Sequence, residues 1–285
     1  MQSPTPLVHL QQLDAEMYAK VEYLHPSGSM KHRSIPRFLQ QLHETGELQP
    51  GQRIAIRSAG SAAVTTAWTG AQLGYPVVAV LPPTASQQTI HWLHWLGAHC
   101  HQVPPQEATR LMQEFGDAPD VYVLAQAREE RLIDHYRPVA AEILHELDRV
   151  AAITVGIGTG LSATGIGRHV RDGRAECRVY GVEPAEAAIA SGQPWAPHGI
   201  PGLAPPIPQP LLDTSLLSGI IPVPSDAAWR CARQTVQHAG LPLGPSSGAA
   251  VAAALQLRQE GHAGPIVAVC ACSIHDYLES VADKE

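Results

Sequence analysis

Apolar and polar positions along this chain follow two periods, and the switches between them predict a regular succession of strands and helices. Apolar or alternating runs at 53–57, 77–81, 99–103, 121–124, 151–156, 177–182, 219–223 and 266–271 read as strands. Helical patterns occupy 62–73, 86–96, 106–115, 137–148, 162–172, 225–239 and 247–259. This βα rhythm is that of a parallel sheet covered by helices. Ser225-Asp226 and Ser246-Ser247 are expected to cap two helix starts. The stretch 194–210 is proline-rich and without period, and a loop of that length reads as a lid, a binding loop or an interface element.

Composition narrows the class. At 285 residues the chain can bury a sizeable core in one or two lobes. A formal charge of −7, with no basic run, argues against nucleic acid or an anionic membrane as partner. No stretch of about 18 apolar residues exists, and the start Met1-Gln2-Ser3-Pro4 lacks a basic region and an apolar core, so a cytoplasmic protein is expected. Five cysteines stand at 100, 177, 231, 270 and 272; Cys270-Ala271-Cys272 lacks the two-residue spacer of a redox or zinc pair and reads as reduced and structural. His91 and His94 are three apart on a predicted helix, whereas His99 and His101 fall on the next strand with Trp92, Leu93, Trp95 and Leu96 interleaved as core, so no metal site is expected.

Four turns carry candidate chemistry. In Pro26-Ser27-Gly28-Ser29-Met30-Lys31-His32-Arg33 a lysine stands on a Ser/Gly turn ahead of a helical segment. Read alone, Lys31 fits either a surface lysine or an amine whose ammonium form is disfavoured by desolvation, as a Schiff base with an aldehyde requires. The run 154–167, Thr-Val-Gly-Ile-Gly-Thr-Gly-Leu-Ser-Ala-Thr-Gly-Ile-Gly, joins a strand to a helix through glycines, where backbone N–H groups can converge on a phosphate. No acidic residue closes the next strand at the spacing of a dinucleotide site; Glu183 is followed directly by Pro184. Gly244-Pro245-Ser246-Ser247-Gly248 opens an alanine-rich helix, and Arg57-Ser58-Ala59-Gly60-Ser61-Ala62 again passes from strand to helix.

In order and spacing these turns resemble the fold-type II pyridoxal-phosphate enzymes, and most closely the cysteine synthase (O-acetylserine sulfhydrylase) and cystathionine β-synthase family. Thr5-Pro6-Leu7-Val8, Gly74-Tyr75, Val182-Glu183-Pro184, the segment from Ser273 to Ser280 and the loop Pro197-His198-Gly199-Ile200-Pro201-Gly202-Leu203 extend the resemblance over nearly the whole chain. The resemblance implies a two-lobed α/β fold of the tryptophan synthase β type, with mostly parallel sheets flanked by helices. It divides the chain into an arm (1–35) joining the large lobe, a small mobile lobe (36–138) and a large cofactor-binding lobe (139–285).

Residue by residue, the resemblance implies that Lys31 is the Schiff-base lysine, and that Gly158, Thr159, Gly160, Ser162 and Thr164 surround the cofactor phosphate. Ser246 would face the pyridine nitrogen. Ser58, Ala59, Ser61 and Ala62 match the loop for the substrate carboxylate, with Gln126 assisting; Ser61 also stands beside the cofactor, where the family has asparagine. His32 replaces an aspartate and Leu161 a second glycine. The implied activity is replacement at the β-carbon of a β-substituted alanine such as O-acetylserine by sulfide or a small thiol, through an aminoacrylate. A diamino acid synthase, a dehydratase, a desulfhydrase and a non-catalytic regulatory homologue stand as alternatives; Ser58-Ala59-Gly60 resembles the dehydratase form of its loop. A homodimer, a biosynthetic partner enzyme and a catalytic core without appended haem or regulatory segments are the remaining expectations.

Overall fold

Each apolar run read as a strand forms one in the computed structural model, which describes residues 3–173 and 176–281. Along the chain, β1 (Leu7–His9) and β2 (Met17–Val21) precede α1 (Ile35–Thr45). The succession continues with β3 (Arg53–Arg57), α2 (Ser61–Leu73), β4 (Val77–Leu81), α3 (Gln87–Trp95), β5 (His99–Gln102), α4 (Pro105–Asp117) and β6 (Val121–Val123). After α5 (Arg137–Glu146) come β7 (Ala152–Gly156), α6 (Leu161–Gly173), β8 (Arg178–Pro184), β9 (Gly219–Val223), α7 (Ser225–Ala239), α8 (Pro245–Gln259), β10 (Ile266–Cys270) and the short α9 (Leu278–Val281).

Two compact units hold these elements. One comprises the chain up to His25 with Ile133–Leu278, and the other Pro26–Leu132 with the chain from Glu279. The first unit has a six-stranded sheet in the order β1-β2-β10-β7-β8-β9, parallel except for the β1 edge. The second has an all-parallel sheet, β5-β4-β3-β6. A parallel sheet covered on both faces needs strands that are apolar throughout, and Val-Val-Ala-Val-Leu in β4 and Ile-Val-Ala-Val-Cys in β10 are buried at every position.

Helix α8 shows why small residues recur in 244–254. Ala249, Ala250, Ala253 and Ala254 are fully buried, a Cβ on Gly248 would collide with the Ala228 carbonyl of α7, and Thr154 Oγ1 of β7 donates to the Ala250 carbonyl at 2.8 Å. The small face lets α8 lie against both α7 and the sheet, which fixes where its N-terminus ends.

The hydrophobic pattern gave no sign of β2, and Lys20 is the reason. Its ammonium is wholly buried in the first unit, 2.8 Å from Glu142 and 3.4 Å from Glu146, one turn apart on α5, and it also donates to the Thr5 carbonyl. Lys20→Ala is expected to lower stability by about 3 kcal/mol, because it leaves a nearly buried carboxylate without its cation. Urea unfolding of the two proteins measures it. None of the described helices is long and apolar enough to cross a membrane.

Candidate functional site

In the second unit, Lys31 lies in a single 3-10 turn, Met30–Arg33, whose start is capped by Ser29 Oγ accepting from the Lys31 N–H at 3.2 Å. The turn is docked on α2 by a buried polar group: His32 Nδ1 lies 3.1 Å from Ser27 Oγ, which lies 3.0 Å from Thr65 Oγ1, and the His32 ring meets Trp68 edge to face at 4.6 Å between centroids. His32, where the resemblance implies an aspartate, is thus a packed and hydrogen-bonded fastening for the lysine turn. Burial lowers the Lys31 amine to about 8, so a usable fraction is neutral near physiological pH. That is the property a nucleophilic lysine needs.

Ser58, Ala59 and Gly60 link β3 to α2, whose first residues are Ser61 and Ala62. The Gly60 carbonyl just before the helix accepts from the Ala63 N–H at 2.9 Å, while Ser58 Oγ accepts from the Gly60 N–H at 3.4 Å. The first N–H groups of a helix have no acceptor within it, so the amides of Ser61 and Ala62 are suited to a carboxylate. Because β6 pairs directly with β3, Arg53 opposite Val121 and Ala55 opposite Val123, the segments leaving the two strands run side by side and carry Ser58 and Gln126. Gln126 has a buried amide oxygen without a hydrogen-bond partner among the described residues. An amide left open at the carboxyl edge of a parallel sheet is what a polar ligand would complete.

In the first unit, Gly158, Thr159 and Gly160 join β7 to α6. Gly160 has φ of +89°, in the left-handed region that favours glycine, and a Cβ there would stand 2.6 Å from the Leu212 Cβ and 2.8 Å from its Cα. A Cβ on Gly158 would meet the Gly202 carbonyl at 2.6 Å. Leu161, by contrast, is the first residue of α6 and is buried; it is not among the positive-φ positions, so the glycine missing here leaves no strain behind. Thr159 is buried and Ser162 half-buried at the helix start.

The proline-rich loop is packed on this turn. Ala204 donates its N–H to the Ile157 carbonyl at 3.0 Å and Gln209 Nε2 donates to the Gly158 carbonyl, while Trp195 Nε1 reaches the Ala204 carbonyl at 3.0 Å. Thr164 gives its one hydroxyl proton to the Leu211 carbonyl at 2.8 Å and accepts from the Asp213 N–H at 3.0 Å. Its side chain therefore ties down the loop, and the hydroxyls next to the helix start are those of Thr159 and Ser162.

Ser246 stands at the second position of α8, 7% exposed, and its Oγ lies 2.8 Å from Cys272 Sγ. Since β10 and β7 are paired in parallel, Cys272 and Gly158 each follow their strand by two residues, and the Ser246 and Gly158 turns share one sheet edge. Sequence reasoning missed Cys272 as part of this edge, because nothing local separates a cysteine facing a site from one filling a core. The histidines divide otherwise: His91 and His94 are exposed on α3, whereas the His99 and His101 rings touch at 4.7 Å on β5. Among the described residues no three histidine, cysteine or acidic side chains are grouped to hold a metal.

Comparison with known proteins accords with these features. Residues 1–272 match the family described as pyridoxal-phosphate dependent enzyme. Cysteine synthase 3 of Caenorhabditis elegans is 31% identical over 265 residues, covering 89% of this chain and 79% of that protein. A probable cysteine synthase of Bacillus subtilis is 29% identical over 266 residues, 88% of this chain and 86% of that one. The crystal structure of an O-ureido-L-serine synthase superposes with a TM-score of 0.90 at 28% identity, covering 96% of this chain and 90% of the other. This chain belongs to the fold-type II pyridoxal-phosphate-dependent enzymes of the cysteine synthase family.

Proposed function

We propose that this enzyme replaces the β-substituent of a β-substituted alanine, such as O-acetylserine, with sulfide or a small thiol. The observation that carries the reading is Lys31: an amine lowered to about 8 by burial, on a turn fastened to the helix whose start offers amides to a carboxylate. The residues fit pyridoxal phosphate. Gly160 occupies a conformation that favours glycine, the start of α6 offers free N–H groups with the Thr159 and Ser162 hydroxyls beside them, and Thr164 holds the covering loop. When bound, the cofactor supplies an electron sink for cleavage at the substrate α-carbon. Lys31 would carry it and afterwards move the α-proton. Ser58, Ala59, Ser61, Ala62 and Gln126 would orient the substrate carboxylate, and Ser246 would face the ring nitrogen, where a hydroxyl keeps the ring a moderate sink suited to β-chemistry. We further propose a cytoplasmic homodimer.

The neutral amine is the reactive form, so the rate at which pyridoxal phosphate combines with the apo-protein should rise about tenfold per pH unit below pH 8 and level off above it. Stopped-flow absorbance over pH 6–9.5 reads this directly.

A nucleophile larger than sulfide is the second reading, and Ser61 favours it. Serine at the first position of α2 is smaller than the asparagine that the resemblance implies, and a structural neighbour is named as an O-ureido-L-serine synthase. Ser61→Asn is expected to reduce the native reaction while keeping or raising activity with O-acetylserine and sulfide. Steady-state kinetics on a panel of β-substituted alanines and nucleophiles test both readings: cysteine as the main product supports the first, a bulkier β-substituted product the second. Release of pyruvate and ammonia as the main outcome would make the enzyme an eliminase instead.

A further inference from the structure

Ser246 has one hydroxyl proton and two lone pairs, and what surrounds it decides where the proton goes. Cys272 Sγ lies 2.8 Å from its oxygen. Next door, Ser247 donates to the Cys272 carbonyl at 2.7 Å, accepts the Cys272 N–H at 3.0 Å and lies 3.6 Å from Cys272 Sγ, so it holds the cysteine in place. On its other side lies the Tyr277 side chain, whose hydroxyl is kept protonated by burial and by its interaction with Cys272. The three groups are close-packed around Gly244: a Cβ there would stand 2.5 Å from Cys272 Sγ and 3.0 Å from a Tyr277 ring carbon.

Either group of the Ser246–Cys272 pair can donate. With Tyr277 holding its own proton beside the sulfur, the arrangement that leaves Ser246 a donor is the one in which the thiol gives its S–H to Ser246 Oγ. A serine oxygen that already accepts has its own proton free for an acceptor on its other side. We propose that Cys272, linked to Tyr277, is a positioning residue that fixes the Ser246 hydroxyl as donor to the unprotonated ring nitrogen of pyridoxal phosphate. This rests on the reading of Ser246 given above. It replaces the expectation, from sequence alone, that Cys272 is a purely structural thiol.

Titration of full-length apo-protein with pyridoxal phosphate, followed through the visible band of the bound cofactor, tests the relay. Cys272→Ala is expected to weaken affinity about three- to tenfold, the loss of one hydrogen bond, and to shift the band. Cys272→Ser keeps a donor and should restore both, and Tyr277→Phe should shift the band in the same direction by less; Tyr277→Phe also serves if the alanine variant does not fold. Apo-protein melting temperatures report any purely structural loss. Because the cysteine acts through the serine, Cys272→Ala added to Ser246→Ala should cost nothing further. If Ser246→Ala alters affinity and band but Cys272→Ala and Tyr277→Phe alter neither, or if the cysteine and serine losses add in full, the relay is wrong and the Ser246 reading stands. If Ser246→Ala itself changes neither, both fall.

Discussion

Lys31→Ala is expected to lose about a thousandfold or more in turnover while the protein still folds and still binds pyridoxal phosphate weakly. The amine has two tasks in the proposed reaction, carrying the cofactor and moving the α-proton, and removal of a positioned general base alone typically costs 10²–10⁴-fold. Folding should survive because the turn is held by other groups: the Ser29 cap, His32 with Ser27 and Thr65, and the Trp68 contact all remain. Weak binding should survive because the phosphate turn belongs to a different element. Single-turnover rates, cofactor titration and melting curves measure the three parts separately. Turnover within about tenfold of the parent protein would contradict the assignment of Lys31.

Gly160→Ala is the second large effect, and it should strike cofactor affinity and stability together. At φ of +89° an alanine is strained, and its Cβ would press on the Leu212 backbone, which the loop cannot withdraw while Thr164 and Asp213 hold it. Strain of this kind costs about 1–3 kcal/mol and overpacking a similar amount. A loss of about 2–4 kcal/mol in unfolding free energy is expected, with cofactor affinity reduced at least tenfold because the amides of the turn are displaced. Leu161→Gly makes the contrast. Position 161 is helical without strain, so introducing the glycine that the resemblance implies should give no gain in affinity and a modest loss in stability from the removed side chain.

The comparison of these neighbouring positions shows what the sequence could and could not disclose. Most strands and helices of the two sheets were legible because a parallel sheet enforces apolar strands and periodic helices, as in β4 and β10. Glycine turns at strand ends were legible because few residues other than glycine can make them. Strand β2 was hidden, since a lysine in a strand reads as polar until Glu142 and Glu146, more than 120 residues away, are known to meet it. His32 and Leu161 looked like departures from a motif; their tolerance lies in contacts with Ser27, Trp68 and the interior that local pattern does not encode. Thr164 looked like one more hydroxyl for an anion, and only the return of the chain at Leu211 and Asp213 gives it a different partner. The edge formed by Ser246 and Cys272 depends on strand pairing in the same way, which no spacing along the chain expresses.

The central claim is that Lys31 carries pyridoxal phosphate, and the chain allows a clean test because it has three lysines: Lys20, Lys31 and Lys284. Lys20 is committed to Glu142 and Glu146 in the interior, and Lys284 lies outside the described residues. Borohydride reduction of the cofactor-saturated protein, followed by digestion and peptide mass spectrometry, reads the attachment site. The expected result is one phosphopyridoxyl group per chain on the peptide containing Lys31, absent from Lys31→Ala. Label on Lys20 or Lys284, or no label at saturating cofactor, would contradict it.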